Sequence, residues 1–208
     1  MISNTTTRWW WVRHAPVRVN DGRIYGQTDH PCDCTDEALF RALARQLPQD
    51  AVWVTSTLLR TIQTADALQA AGAVGTEPLR ESAFVEQSFG DWQGLKYAEL
   101  QEKRREAWHR FWLAPAHEAP PGGESFVDLL DRVAPAIDRL TVEHRGRDIV
   151  AVTHGGTIRA AIAHALQIPP ETALAFSIEN VSLTRLEHVD GPGLGHGWRV
   201  AVVNHMAA

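Results

Sequence analysis

Hydrophobic positions along this chain follow two alternating patterns. Short unbroken apolar runs, Trp9-Trp10-Trp11-Val12, Ala51-Val52-Trp53-Val54 and Ile149-Val150-Ala151-Val152, have the length of buried strands, while longer stretches between them repeat apolar residues every three or four positions. Thr35 is the expected N-cap of a helix with Leu39, Phe40, Leu43 and Leu47 on one face, stopped by Pro48. The run ending at Thr55 leads through Ser56 into a helix predicted to turn Leu59, Ile62, Ala65 and Leu68 inward and to end near Gly72. Leu95 to Leu113 reads as a helix charged on both faces, with Trp108 and Trp112 one turn apart. A long helix capped near Ser125 follows, with Phe126, Leu129, Leu130, Val133, Ile137 and Leu140 inward and a kink expected at Pro135. Another helix runs from His154-Gly155-Gly156 through Leu166, and Ala173–Ile178, Ser182–His188 and Trp198–Val203 read as strands, the last two paired across a Gly-rich turn. Between these elements, 17–33 reads as a long loop, 77–94 as a short strand and an irregular stretch, and 115–123 as a break.

Strands alternating with helices predict an α/β fold, a three-layer α/β/α sandwich around a mostly parallel sheet. Its length of 208 residues, 44% hydrophobic, fits one domain over 1–208, with 95–123 as a small cap insertion. The net charge of −5 excludes the broad basic surface that holds nucleic acid by neutralising phosphates, so any anion must be met by a few local cations. The apolar run at Trp9 to Val12 is too short for a signal peptide or a membrane span, which leads us to expect a cytoplasmic protein without a membrane partner. Cys32 and Cys34 are the only cysteines; they fit a reducing compartment better than a disulfide framework. Together with His30 they form part of a metal-ligand pattern, but no second ligand cluster at zinc-like spacing accompanies them, and we expect no metal and no other cofactor.

Polar residues that a sheet does not need stand at three strand exits: Arg13-His14, Thr55-Ser56 with Arg60 one turn on, and Thr153-His154-Gly155. Neighbouring strands would bring them to one carboxyl edge, where open α/β sheets bind ligands. Arginine forks match phosphate oxygens, and helix N-termini add unpaired N–H groups, so a phosphate dianion suits such a point better than a carboxylate.

Arg13-His14, the stretch from Ser56 to Ala65 containing Arg60, Glu86 with Phe89-Gly90-Asp91-Trp92-Gln93-Gly94, and Thr153 to Ala160 resemble the histidine phosphatase superfamily, in that family's order. The α-ribazole phosphatase-like and broad-specificity branch is the one most resembled. The resemblance implies a phosphoglycerate mutase-like fold and a phosphoric monoester hydrolase acting on a small-molecule phosphate ester. In it, His14 would attack phosphorus to give a phosphohistidine, and Arg13, Arg60 and His154 would hold the phosphate oxygens. Glu86 would protonate the leaving alkoxide and then activate water. The resemblance makes Asn20, six residues after His14, a secondary candidate for contacting the phosphate, and Gly155, which opens the helix after His154, another binding position. α-Ribazole 5′-phosphate and sugar phosphates are the substrates the resemblance suggests.

Two departures temper this. Ala15-Pro16-Val17 replaces the glycine and acidic or hydroxyl residues usual after the histidine, which keeps a non-catalytic phospholigand-binding module as an alternative. Gln87 stands where mutases carry a second substrate-binding arginine, which favours water over a second acceptor and leaves a mutase as the same-class alternative. Bland readings also stand beside the chemical ones: Arg60 as a surface helix residue, Glu86 as solvated charge among Glu77 and Glu81, Asn20 and Tyr25 as loop structure, Trp108 and Trp112 as core, and Trp9 to Trp11 as core on both sheet faces. The C-terminal strands offer an edge for a homodimer.

Overall fold

The computed structural model describes residues 4–104 and 109–207. Its sheet has six strands in the order β3-β2-β4-β1-β5-β6, where β1 is Thr5–Arg13, β2 Val52–Thr55, β3 Leu79–Arg80, β4 Asp148–Thr153, β5 Leu183–Asp190 and β6 Trp198–His205. Strands β1 to β4 pair in parallel, and β5 and β6 add an antiparallel extension. The expected sandwich is the observed fold.

The side-chain alternation of β1 separates the two faces. Trp9 and Trp11 stack at 4.8 Å between ring centroids, with Phe84 edge-on to both, and join α4 (Phe126–Glu143) and α5 (Gly155–Leu166) in one core. Trp10 points the other way, toward the core that holds α1 (Glu37–Ala44) and α2 (Leu59–Ala70); its indole N–H donates to Asp148. The tryptophan triplet is therefore core on both faces, as a central strand requires. A third apolar cluster, Ile24, Phe89, Trp92, Leu100, Leu113 and Ala114, ties the 17–33 loop to the candidate cap and to α3 (Tyr97–Lys103).

Four local expectations are corrected. Asp36, not Thr35, caps α1, accepting from Leu39 N–H, because the Thr35 hydroxyl is committed to Asp33. Helix α2 buries Arg60, Thr61, Thr64, Ala65 and Leu68 and leaves Leu59 exposed, because its inward stripe serves polar groups at the sheet edge rather than a purely apolar core. The helix expected through Leu113 ends at Lys103. Around 109–112 the His109 ring nitrogen Nδ1 accepts the N–H groups of Phe111 and Trp112, a local side-chain turn that competes with helix; Trp108 lies outside the described residues. Ala173–Ile178 is not a strand: it follows the short helix α6 (Pro170–Ala173), and the carbonyls of Phe176 and Ile178 accept from Arg159 and Arg13 rather than from a neighbouring strand. Helix α4 has Ser125 as N-cap with Asp128 closing a capping box, and continues through Pro135 as one element.

Candidate active site

The carboxyl ends of β1, β2 and β4 lie side by side, so their exits converge. His14 is 1% exposed and its ring lies 5.2 Å from that of His154, centroid to centroid. Its Nδ1 is 2.7 Å from the Ala15 carbonyl oxygen. A carbonyl only accepts, so Nδ1 carries the proton, and the neutral ring has its lone pair on Nε2. The Asn180 side chain donates to the His14 carbonyl, and the Ala15 N–H donates to Thr64 Oγ1, fixing the turn on both sides. Ala15 itself is part of the apolar cluster with Val12, Phe40 and Leu43. The methyl group by which it differs from glycine packs into the core.

Arg60 is fully buried: its two terminal nitrogens donate to the carbonyls of Thr28 and Gly26, at 2.9 and 2.6 Å, and its guanidinium lies 5.0 Å from the Tyr25 ring centroid. Arg13 donates from Nη1 to the Ile178 carbonyl. His154 Nε2 sits 2.8 Å from Ser56 Oγ. Three buried nitrogens in this group, Arg13 Nε, Arg60 Nε and His154 Nδ1, have no hydrogen-bond partner among the described residues. Buried donors are costly to leave unpaired, and an anion with several oxygens is the ligand that would satisfy them together. Helix α5 also begins here, with its partial positive end at Gly155.

Glu86 reaches the same place from the 77–94 segment. Its Oε1 accepts from Gln87 N–H and its Oε2 from Gly156 N–H, at 2.9 and 3.2 Å. A Cβ at position 156 would stand 2.3 Å from Glu86 Oε1, so the second glycine is what lets α5 approach the carboxylate. Arg132 braces the segment, donating to the carbonyls of Ala83 and Glu86 and pairing with Glu124.

A cavity of about 350 Å³ opens at Arg13, Glu86 and Gly155 and is lined also by Tyr25 and, from the candidate cap, Tyr97, Arg110, Phe111 and Trp112, whereas His14, Arg60 and His154 are buried beside that lining rather than part of it. Arg159 also lines it, a residue overlooked in assigning roles although one turn after Gly155 was signal enough to place it on this edge. Its guanidinium stacks 4.6 Å from the Trp112 ring centroid, and burial lowers its pKa to about 10. Trp112 donates to Gln87 Oε1, so the glutamine at the mutase-arginine position holds the cavity wall. Arg13, His14, Arg60, Glu86, His154 and Gly155 are thus brought together. Asn20 is not: its side chain donates to the Arg23 carbonyl in a separate depression with Thr28 and His30. Among the described residues, no three His, Cys, Asp or Glu side chains are grouped to hold a metal ion, and no helix is long and apolar enough to cross a membrane.

The pKa of His14 is held well below the usual imidazole value by burial and by the charges of Arg60 and Arg13. That of His154 is lowered likewise by burial, Arg60, His14 and Arg13. Below about pH 6.5 the unfolded chain protonates both histidines while the folded chain protonates neither, so stability falls as pH falls. The expected slope is about 1.4 kcal/mol per pH unit for each histidine, until the folded-state values are reached. Urea unfolding followed downward from neutrality measures it, and a flat profile through this window would show that the rings are already charged in the fold.

An α/β protein with a neutral histidine buried among arginines at the carboxyl edge of its sheet is the class that fold and site define. The sequence profile of the histidine phosphatase superfamily (branch 1) matches residues 9–204, and the chain belongs to that superfamily. It is 33% identical over 195 residues to the bifunctional protein Rv2228c of Mycobacterium tuberculosis, covering 90% of this chain and 52% of that protein, so the chain spans about half the length of that curated relative. Among solved structures, mycobacterial hydrolase 2 superposes with a TM-score of 0.83 at 30% identity, covering 98% of this chain and 93% of that one. The native mycobacterial glucosyl-3-phosphoglycerate phosphatase Rv2419c superposes with a TM-score of 0.79 at 30% identity, covering 96% and 99% of the two chains.

Proposed function

We propose that this protein is a phosphatase that hydrolyses a small-molecule phosphomonoester through a phosphohistidine on His14, without a metal. The observation that carries the reading is the group of unpaired buried donors, Arg13 Nε, Arg60 Nε and His154 Nδ1, around a histidine whose lone pair is on Nε2. In the first step His14 Nε2 forms a bond to phosphorus, the ester P–O bond breaks, and Glu86 gives its proton to the leaving oxygen. In the second, water attacks phosphorus, Glu86 takes its proton, and the P–N bond breaks. The two arginines and His154 stabilise the equatorial oxygens in both transition states. In this reading Ser56 Oγ, 2.8 Å from His154 Nε2, donates to it, which makes Nδ1 the protonated nitrogen, able to donate to phosphate.

The cavity supports a substrate with a sugar or other polar body and a second anionic group. Tyr25, Tyr97, Phe111 and Trp112 line it with aromatic side chains, and Arg110 and Arg159 offer charge beyond the phosphate clamp. The glucosyl-3-phosphoglycerate phosphatase likeness agrees with that class. The test is phosphate release in excess chelator from a panel of sugar phosphates, phosphorylated acids, nucleotides and α-ribazole 5′-phosphate, with acid-labile, base-stable phosphate on the quenched protein. Release with labelled His14 is expected. Silence across the panel with tight phosphate binding would instead indicate a binding module, and interconversion of phosphoglycerate isomers after bisphosphoglycerate priming would indicate a mutase.

A further inference from the structure

Cys32 and Cys34, at the end of the 17–33 loop, have no part in the chemistry above. Their sulfurs lie 3.5 Å apart, both residues are half-buried and both thiols are free. The pair is built into the back of the phosphate site. Cys32 N–H donates to Gln63 Oε1, Cys32 Sγ donates to the Arg60 carbonyl at 3.2 Å, and Cys34 Sγ donates to the Gln63 carbonyl at 3.7 Å. Cys32 Sγ also lies 3.5 Å from Thr64 Oγ1, which accepts the Ala15 N–H and donates to the Arg60 carbonyl. Arg60 in turn grips the Gly26 and Thr28 carbonyls of the same loop. One cluster of weak bonds therefore joins the thiols, the first turns of α2 and the backbone beside His14.

We propose that Cys32 and Cys34 are a redox modification site, closing to a disulfide when the protein meets a hydroperoxide and thereby weakening the Arg60 phosphate clamp. The hydrogen bond from Cys34 lowers the Cys32 pKa to about 7, whereas the same contact and burial raise that of Cys34. Cys32 is thus the nucleophile and Cys34 the resolving thiol. The Cys32 thiolate attacks a peroxide oxygen, an S–O bond forms, the O–O bond breaks, and hydroxide leaves to be protonated. Cys34 sulfur then attacks Cys32 sulfur, the S–S bond forms, the S–O bond breaks, and the departing hydroxide takes the Cys34 proton as water. Two thiols and one peroxide give one disulfide and two waters.

Closure acts on the site in two ways. The disulfide carries no S–H, so neither sulfur can return to the bonds that the protonated pair donates to the Arg60 and Gln63 carbonyls. Drawing the sulfurs from 3.5 Å to a bond of about 2.05 Å also moves the end of the loop whose middle, at the Gly26 and Thr28 carbonyls, holds the guanidinium. A half-exposed disulfide across so short a loop is of the readily reduced kind, as suits a transient modification.

The experiment treats the reduced full chain with hydrogen peroxide, and reads intact mass and the affinity for inorganic phosphate by calorimetry. That readout does not depend on turnover, so it stands apart from the hydrolase reading. The expected result is loss of two hydrogen atoms within one chain and phosphate affinity about tenfold weaker, as for one weakened charge-assisted bond, both reversed by a dithiol. Cys34→Ser should keep the reduced affinity and accumulate a Cys32 sulfenic acid that a cyclic dione traps. The proposal is overturned by an unchanged mass, by a disulfide only between chains, by an intramolecular disulfide that leaves phosphate affinity unaltered, or by a reduced chain with no phosphate affinity.

Discussion

His14→Ala is expected to lower kcat/KM for a phosphomonoester by a factor on the order of 10⁴ or more, the scale on which removal of a covalent nucleophile acts. What remains after the substitution makes the result diagnostic. Arg13 is tethered at the Ile178 carbonyl, Arg60 at the Gly26 and Thr28 carbonyls, and His154 beside Ser56. None of these anchors involves the His14 ring, so inorganic phosphate should still bind while turnover and phosphoenzyme disappear. The variant should also lose about half of the acid-dependent destabilisation described above, because one of two buried neutral histidines is gone. Steady-state assay, phosphate calorimetry and urea unfolding of the same preparation separate these effects. Undiminished hydrolysis by the alanine variant would remove His14 from the mechanism.

The part of this site that could be read from the sequence is the part that interrupts a pattern. Arg13-His14 and Thr153-His154 end apolar runs, and a sheet gives no reason for them to be there. Burying three such runs side by side leaves their exits only one place to meet. The residues that were harder to read obey a pattern instead. Arg60 and Thr64 sit in a helix whose apolar residues suggest a different inward face, and only the fold shows that the inward stripe is polar. Arg159 can be placed on this edge from its position one turn after Gly155, but its stacking on Trp112, far away in sequence, shows only in the fold. Ala173–Ile178 has strand-like composition, yet its carbonyls are taken by arginine side chains, a tertiary demand that overrides local propensity. Asn20 shows the converse: matched by position to a family contact, its side chain closes its own turn on Arg23.

Ala15 shows how the structure narrows an ambiguity of sequence. A methyl group beside the nucleophile would count against catalysis if it faced the phosphate. It packs with Val12 and Leu43, while the Ala15 N–H is held by Thr64 and the carbonyl by His14 Nδ1. The backbone of the turn, which sets the imidazole tautomer, is compatible with alanine.

Glu86→Gln separates the two chemical steps. With an alkyl phosphate the leaving oxygen needs a proton, and loss of the general acid is expected to cost about 10²–10⁴ in kcat. A nitrophenyl phosphate releases a stable phenolate without protonation, so phosphorylation of His14 should remain fast, whereas hydrolysis of the phosphohistidine still lacks its base. The expected time course is a burst of one phenolate per active site followed by slow turnover, with phosphorylated protein accumulating. The geometry supports the amide as a fair replacement: Gln87 N–H can still find an acceptor oxygen, and only the Gly156 N–H would face an NH₂ group instead. That mismatch leaves one buried donor unpaired and should lower stability by about 1–3 kcal/mol, a loss that thermal unfolding measures and that does not by itself produce a burst. Equal losses on alkyl and aryl esters, with no burst, would assign Glu86 to holding the N-terminus of α5 rather than to proton transfer.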